Sequence, residues 1–297
     1  MLLSLVNQES ETASNTQQKY FIHKIILIVK AGMCQSNEIL HSLAVHLLNQ
    51  SLYVTLTHII HNHVTCVCRC IDGYSRKIIW LKASYSNHKP GLIAAYFVPS
   101  SDQFGGYPSR VRTDCGTENV TVAAIQALVT GSTASHVYGT SPGNQRIESW
   151  WSFFRRSRSQ WWIELFESLQ EFGAFHPGSV QETECMRYCF MAVVQKDLDA
   201  VRQQWNTHRI RPSAGARCLA GIPDELFYLP PSSAVDCMLR DPVQLHVELQ
   251  AELEEQQACQ DSERESYFDY LCSFHNWHAP TDADSAVALY LRLLSCL

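Results

Sequence analysis

Apolar and polar residues alternate clearly between residues 64 and 71, the two-residue period of a β-strand with one buried face. Asp72-Gly73 is a turn dipeptide, and residues 76–81 after it are predicted to form the next strand. The two runs therefore predict a β-hairpin. The side chains that share one face of the first strand are Val64, Cys66, Cys68 and Cys70.

Helical patterns dominate the chain after residue 118. A weaker helical pattern at 92–98 is expected to stop at Pro99, because proline lacks the N–H that continues a helix. Residues 109–113 predict a short extended segment, and the Gly-, Ser-, Thr- and Pro-rich stretch 131–144 predicts a loop. Strands followed by helices indicate an α/β domain with a mixed sheet. The predicted helices are 37–49, 119–129, 145 to about 170, and 181 to about 206.

Composition is that of a globular protein, with 46% hydrophobic and 18% charged residues. No apolar run approaches the roughly 18 residues that a membrane-spanning helix needs. The first basic residue is Lys19, after Glu9 and Glu11, which is the wrong charge for a secretory signal. These features predict an intracellular protein without a membrane partner.

The net charge of −6 is unevenly distributed. Residues 234–297 hold 12 acidic and 3 basic residues, a net charge of −9, so residues 1–233 carry +3. Local charge decides whether phosphates are attracted, and the basic part remains compatible with a nucleic-acid partner. The pattern predicts a separate, mostly helical acidic appendage over 234–297.

Three short segments carry most of the candidate chemistry. They read C-I-D-G-Y-S-R-K from Cys70, R-T-D-C-G-T-E-N from Arg112, and N-Q-R-I-E-S-W-W from Asn144. Asp114 ends a short strand, and Glu148 lies 34 residues later in the first turn of a helix. Taken alone, Asp114 is better interpreted as an ordinary turn residue and Glu148 as a helix-N-terminal acid.

In this order and spacing, the segments resemble the catalytic core of DDE-type integrases and transposases. That family reads D-x-[FY]-S-R, then D-x-G-x-E-[FN], then N-x-x-[IV]-E. W-N-T-H-R-I-R from Trp205, followed by Gly221-Ile222-Pro223, is similar to a Y-N-x-x-R segment that closes many such cores. The W-W pair and H-R-I-R are similar to integrase-core proteins of fish and marine invertebrates. The resemblance covers about residues 64–231.

The resemblance implies an RNase H-like mixed sheet flanked by helices. The expected division is a poorly matched N-terminal segment (1–50), an integrase-like core (51–233) and the acidic C-terminal appendage (234–297). It further implies a nuclear location, DNA as partner and compatibility with a homo-oligomer. The expected activity is metal-dependent phosphodiester strand transfer or cleavage, for which two hard cations stabilise the attacking and leaving oxygens.

By the same resemblance, Asp114 and Glu148 are the catalytic residues and the ligands of Mg²⁺ or Mn²⁺, which favour carboxylate oxygens. Glu118 is expected to support the site, and Asp72 is expected to be a turn former that bonds nearby backbone. The family's first aspartate should lie about 17 residues before Asp72, a position that holds Thr55. Residues 39–71 contain no acid.

This departure leaves two readings of function open. Either catalysis is impaired in an integrase-core protein, or the chain is a domesticated, non-catalytic module that binds nucleic acid or protein. The N-terminal segment itself is either a divergent first strand or a mis-assembled one. A carboxylate facing Asp114 from the first strand would favour the enzyme. Thr55 at that position favours the domesticated, non-catalytic module.

Basic and aromatic residues follow Glu148 on the same predicted helix. Arg155 falls within about 20° of Glu148 on a helical wheel, which suits phosphate contact, although a solvated basic face is an equal alternative. The tryptophans and phenylalanines there predict mainly core packing, with base stacking as the alternative. A zinc site in the His- and Cys-rich stretch 58–70 is disfavoured by its spacing. The candidate nucleic-acid-binding residues are Arg146, Arg155, Arg156 and Arg158.

Overall fold

The computed structural model describes residues 52–57, 65–85, 90–114, 116–139, 150–151, 153–212, 219–239 and 262–297. The helix predicted at 37–49 lies outside these ranges. The strands are β1 (Leu52–Thr57), β2 (Cys66–Asp72), β3 (Ile78–Ser84), β4 (Tyr107–Pro108), β5 (Val111–Thr113), β6 (His136–Tyr138) and β7 (Met238–Leu239). The helices are α1 (Pro90–Phe104), α2 (Val120–Thr130), α3 (Gln160–Glu171), α4 (Val180–Thr207), α5 (Pro223–Tyr228), α6 (Ser262–His275) and α7 (Ala283–Leu294).

The main sheet has the strand order β3-β2-β1-β5-β6. The first three strands form an antiparallel meander, and β5 and β6 run parallel to β1. This mixed sheet, flanked by helices, confirms the RNase H-like α/β fold that the motifs predicted. The strand expected one hairpin before Asp72 is β1, where Leu52 pairs with Asp72.

β6 corrects the prediction that residues 131–144 form a loop throughout. Its three residues pair in parallel with β5, His136 with Val111 and Tyr138 with Thr113. The sequence prediction failed because so short a strand, with partly exposed side chains, leaves no periodic apolar pattern.

The sheet separates two hydrophobic cores, as the alternation of β2 requires. Val67 and Ile71 pack with α4 and with the aromatic residues around Trp150. Cys68 and Cys70 face the other side and pack with buried residues of α1 and α2. The predicted row of cysteines on one strand face is therefore confirmed for these two residues.

Pro99 lies inside α1, so the prediction that it ends the helix is wrong. An interior proline costs roughly 3 kcal/mol. Four buried side chains of α1 pack in the second core and offset this cost. The hydroxyls of Ser100 and Ser101 both donate to the carbonyl of Phe97, at 2.6 and 3.1 Å. The buried side chains are Ile93, Ala94, Phe97 and Val98.

The second strand of the hairpin begins at Ile78 rather than at Arg76. Arg76 has a φ of 63°, a left-handed conformation that places it in the turn. The carbonyl of this residue accepts a hydrogen bond from Trp205 Nε1 at 2.8 Å. The prediction counted the charged pair Arg76 and Lys77 as part of the strand, whereas only the apolar residues from Ile78 onward begin it.

Side chains of α4 bond the outer edge of β3, the last strand of the sheet on that side. Asn206 accepts from the Ile78 N–H at 2.8 Å and donates to the Ile78 carbonyl at 2.9 Å. Gln195 does the same with Ala83 N–H and the Leu81 carbonyl, at 2.9 and 3.1 Å. The W-N-T-H-R segment therefore has a structural role, because its Asn206 binds α4 to the edge of the sheet.

The C-terminal helices α6 and α7 are not separate from the core. Phe268 of α6 and Leu289 of α7 belong to the same buried cluster as Trp150 and α4. The Tyr290 hydroxyl donates to the Ala174 carbonyl at 2.8 Å, and β7 pairs with β4. The expected helical character holds for these two helices, but their apolar faces are needed to cover α4. Net charge gave no information on this packing.

None of the helices in the described ranges combines the length and apolar character needed to cross a membrane.

Candidate active site at the end of β5

Asp114 follows β5 directly, at the edge where the strand ends in a turn. Asn119, which is fully buried, donates its side-chain amide to Asp114 Oδ1 at 2.7 Å. A 3₁₀ turn, Thr117–Asn119, leads from this point into α2. The carboxylate of Asp114 is thus held between the end of β5 and the start of this turn.

Burial raises the pKa of the Asp114 carboxyl above its usual value, because removal from water disfavours the ionised form. The hydrogen bond from Asn119 and backbone hydrogen bonds at Asp114 and Gly116 act in the opposite direction. A cation beside Asp114 would favour the ionised form further. A bound cation would therefore stabilise the ionised Asp114 carboxylate against the effect of burial.

Glu118 lies next to Asp114 and is buried. Its Oε1 is 3.4 Å from the Asn119 side-chain nitrogen that binds Asp114, so one amide lies against both carboxylates. A Cβ added at Gly116 would lie 1.8 Å from Glu118 Oε1, so a side chain at this position would force the Glu118 carboxylate to move. The supporting role expected for Glu118 stays a prediction that this arrangement favours.

The resemblance places the family's first aspartate at Thr55, which lies in β1. In β1, Leu52 pairs with Val111 and Tyr53 with Arg112 of β5. Continuing this parallel register by two residues brings Thr55 beside Asp114. On the other side, Thr55 pairs with Arg69 of β2.

Arg69 places a positive charge beside this position. Its side chain is fully buried, and the guanidinium lies over two indole rings, 4.2 Å from the centroid of Trp150 and 4.6 Å from that of Trp151. Cation–π contact of this kind stabilises a buried guanidinium. The first-strand position therefore combines a neutral residue with a neighbouring cation, the reverse of what a divalent metal requires.

Glu148 and Arg146 lie outside the described residues, so the expected approach of Glu148 to Asp114 stays a prediction. Arg155, Arg156 and Arg158 lie on one π-helical turn, Arg155–Ser159, and all three are exposed. The described aromatics nearby divide as expected, most of them being core. Trp150, Trp151, Phe154 and Trp162 are buried, whereas Phe153 and Trp161 are exposed.

Asp72 is a turn former, as the sequence predicted. One oxygen of its carboxylate, Oδ2, accepts from both the N–H and the hydroxyl of Ser75, each at 2.6 Å. Burial raises the pKa of the Asp72 carboxyl, and the hydrogen bonds from Ser75 oppose that shift. The Asp72 carboxylate therefore stabilises the turn of the β2–β3 hairpin by accepting these hydrogen bonds.

We expect Asp72→Ala to lower the free energy of unfolding by roughly 1–3 kcal/mol, because the buried Ser75 groups lose their acceptor. Asp72→Asn keeps an acceptor oxygen and should cost less. Because burial raises the pKa of the folded state, the stability of the wild type should increase as pH falls towards the pKa of the unfolded state, about 3.9. Asp72→Asn should lack this pH dependence. Urea unfolding at two pH values measures both effects, and altered Mn²⁺ binding in either variant would contradict the turn assignment.

Metal ligation is only partly met by the residues described. No cluster of three or more His, Cys, Asp or Glu side chains converges in the described part of the chain. Asp114 is suited to one hard cation, but Thr55 gives no second carboxylate. The donors in view do not fit a two-metal centre, even with Glu118 beside Asp114.

The described part of the His- and Cys-rich stretch, residues 65–70, does not favour a zinc site. His58, His61 and His63 lie outside the described residues. Burial raises the pKa of the Cys68 and Cys70 thiols well above the usual value, which disfavours the thiolate that binds zinc. Both side chains are used in core packing.

Sequence reasoning did not assign two residues that shape the site. Asn119 was part of a quoted motif, and an Asn next to an acid-rich turn is a signal for a hydrogen-bonded carboxylate. Arg69 had a weaker signal, a basic residue at an inward position of an otherwise apolar strand. Its stacking on Trp150 depends on tertiary packing and is not readable from spacing.

A family model described as "Integrase core domain" matches residues 49–220. The match spans β1 through α4 and includes Thr55 and Asp114. No curated protein shows a significant match to the chain.

Proposed function

Because the chain belongs to the integrase core domain family, whose members are polynucleotidyl transferases of the DNA-integration type, we propose that it binds DNA with impaired strand transfer or cleavage. The observation that carries the proposal is the register that brings Thr55, a neutral residue, beside Asp114. The family generally uses divalent metals, which would supply charge stabilisation to the attacking and leaving oxygens.

Each residue of the proposed site has a limited task. Asp114 supplies a carboxylate, which Asn119 holds in one orientation through its hydrogen bond. Arg155 and Arg156 are exposed cations suited to backbone phosphates. By resemblance, Glu148 is the second acid of the site. In this proposal the arginines contact phosphates and the two acids hold a metal ion, while Thr55 provides no negative charge to balance a second cation.

The alternative function is a domesticated module that keeps the fold and binds nucleic acid or protein without catalysis. The buried Arg69 next to the Thr55 position favours this reading. A fixed guanidinium repels divalent cations. The two proposals share DNA binding and differ in whether any metal-dependent cleavage remains.

We expect wild-type protein to bind DNA and to show at most weak nicking of supercoiled plasmid with Mg²⁺ or Mn²⁺. Asp114→Asn should remove residual nicking while changing DNA affinity less than about twofold. Asp199→Asn on α4, which removes an acid 3.6 Å from Arg202, is the charge-matched control and should leave both properties unchanged. Robust turnover that Asp114→Asn abolishes would contradict the impairment, because some other carboxylate would then complete the site.

A further inference from the structure

A cleft of about 500 Å³ opens where the π-helical turn Arg155–Ser159 and the start of α3 meet α4. Its lining includes an exposed tryptophan and two cations. Trp161 follows Trp150 by eleven residues, roughly 16 Å along a helix. The cleft is therefore distinct from the place where Arg69 stacks on Trp150 and Trp151. The lining residues that matter here are Arg158, Trp161, Trp162, Lys196, Asp197 and Thr281.

The adjacent Trp161 and Trp162 have opposite environments. Trp162 is 5% exposed, and its Nε1 donates to Asp197 Oδ2 at 3.0 Å, so it belongs to the core. Trp161 is 52% exposed and meets Trp162 edge-to-face, with ring centroids 4.9 Å apart. Core packing therefore accounts for Trp162 but leaves half of the Trp161 indole in contact with solvent.

Two cations and one acid line the cleft, and Asp282, which follows Thr281, lies close enough to Lys196 for that cation to lower the pKa of its carboxyl. Arg158 Nη1 lies 3.7 Å from Asp197 Oδ1. Lys196 donates one ammonium N–H to the Thr281 carbonyl at 3.1 Å, and both cations are exposed. Asp197 is the one acid among the lining residues, and its carboxylate is already engaged by Trp162 and Arg158.

We propose that this cleft binds single-stranded DNA, with one base stacked on Trp161 and neighbouring phosphates on Arg158 and Lys196. The inference rests on the proposed DNA-binding function and adds a DNA contact outside the candidate active site at Asp114. A half-exposed aromatic beside exposed cations is the arrangement by which proteins hold unpaired strands without sequence preference. Duplex DNA keeps its bases stacked internally, so this contact selects an unpaired strand.

The test measures fluorescence-anisotropy titrations of full-length protein with an oligothymidylate, an abasic strand of the same length and a blunt duplex. Trp161→Ala should weaken oligothymidylate binding roughly ten- to hundredfold, leaving the salt slope and the abasic and duplex affinities unchanged. Trp161→Phe should recover part of the loss. Phe172→Ala removes an 86% exposed aromatic just after α3 and is the matched control.

The cations give an independent readout. Arg158→Ala or Lys196→Ala should each reduce the slope of log Kd against log salt by about 0.7 for single strands. Unchanged oligothymidylate affinity in Trp161→Ala, with wild-type protein binding DNA, would overturn this inference and leave the proposed function intact. Wild-type protein that binds none of the three DNAs would overturn the proposed function and the inference together.

Discussion

Thr55→Asp is expected to raise the Mn²⁺ affinity of the protein and to increase metal-dependent nicking by about a hundredfold or more. The register of β1 and β5 brings residue 55 beside Asp114, and neighbouring strands lie about 4.8 Å apart. Two Mg²⁺ or Mn²⁺ ions carry four positive charges, of which Asp114 and Glu148, in the roles that the resemblance assigns to them, would balance half. Loss of one metal leaves the attacking or leaving oxygen without its stabiliser, which costs several kcal/mol of barrier.

Two control variants separate a metal ligand from a general charge effect. Thr55→Asn is polar but neutral and should not raise Mn²⁺ affinity. Thr57→Asp puts a carboxylate on the same strand about 7 Å further along, opposite Val67, and should also fail. Calorimetric titration with Mn²⁺ reads out binding independently of nicking.

Arg69 gives this experiment a defined way to fail. A carboxylate introduced at residue 55 has Arg69 as its cross-strand partner. A higher melting temperature of Thr55→Asp without higher Mn²⁺ affinity would mean that the new acid pairs with Arg69. That result would contradict the restored-metal prediction and favour the non-catalytic module.

Asn206→Ala should have the largest effect on stability. The substitution removes the side-chain partner that the Ile78 N–H and carbonyl both have in Asn206, and Ile78 is fully buried. Each buried backbone group left unbonded costs roughly 1–3 kcal/mol, so we expect a total loss of about 2–5 kcal/mol. Thermal unfolding should move down by about 5–15 °C.

The exposed neighbour Thr207 supplies the control, because Thr207→Ala should change stability by less than about 0.5 kcal/mol. Asn206→Asp is more diagnostic, since the introduced carboxylate accepts from the Ile78 N–H but repels the carbonyl. Its pKa should be raised by burial, so this variant should regain stability as pH falls and the carboxyl is protonated. Equal stability of Asn206→Ala and Thr207→Ala would refute the assigned role.

The fold was predictable where local patterns carry tertiary information. The alternation in β2 and the Asp72 turn predicted the hairpin, and the order of strands and helices predicted the mixed sheet. Pro99 and β6 were predicted wrongly for a common reason. Packing of α1 outweighs a local preference, and pairing with β5 orders a segment that has no pattern of its own.

The candidate site was predictable only in part. Asp114 and the position of Thr55 follow from motif counting, since strand lengths and the hairpin fix the offset between β1 and β2. The contacts of Asn119 with Asp114, and of Arg69 with Trp150, join segments that are brought together by folding. Charge counting likewise treated residues 234–297 as separate, because it is blind to the apolar faces of α6 and α7.

The bonds from α4 to β3 also determine how this sheet can meet other chains. A strand at the end of a sheet normally offers its free N–H and C=O groups to any extended peptide. Here Asn206 and Gln195 occupy such groups at Ile78, Leu81 and Ala83. An incoming strand would have to displace two amide side chains anchored on a long helix. The helix thus protects this edge against strand swapping and fibril-like growth while the core is folded.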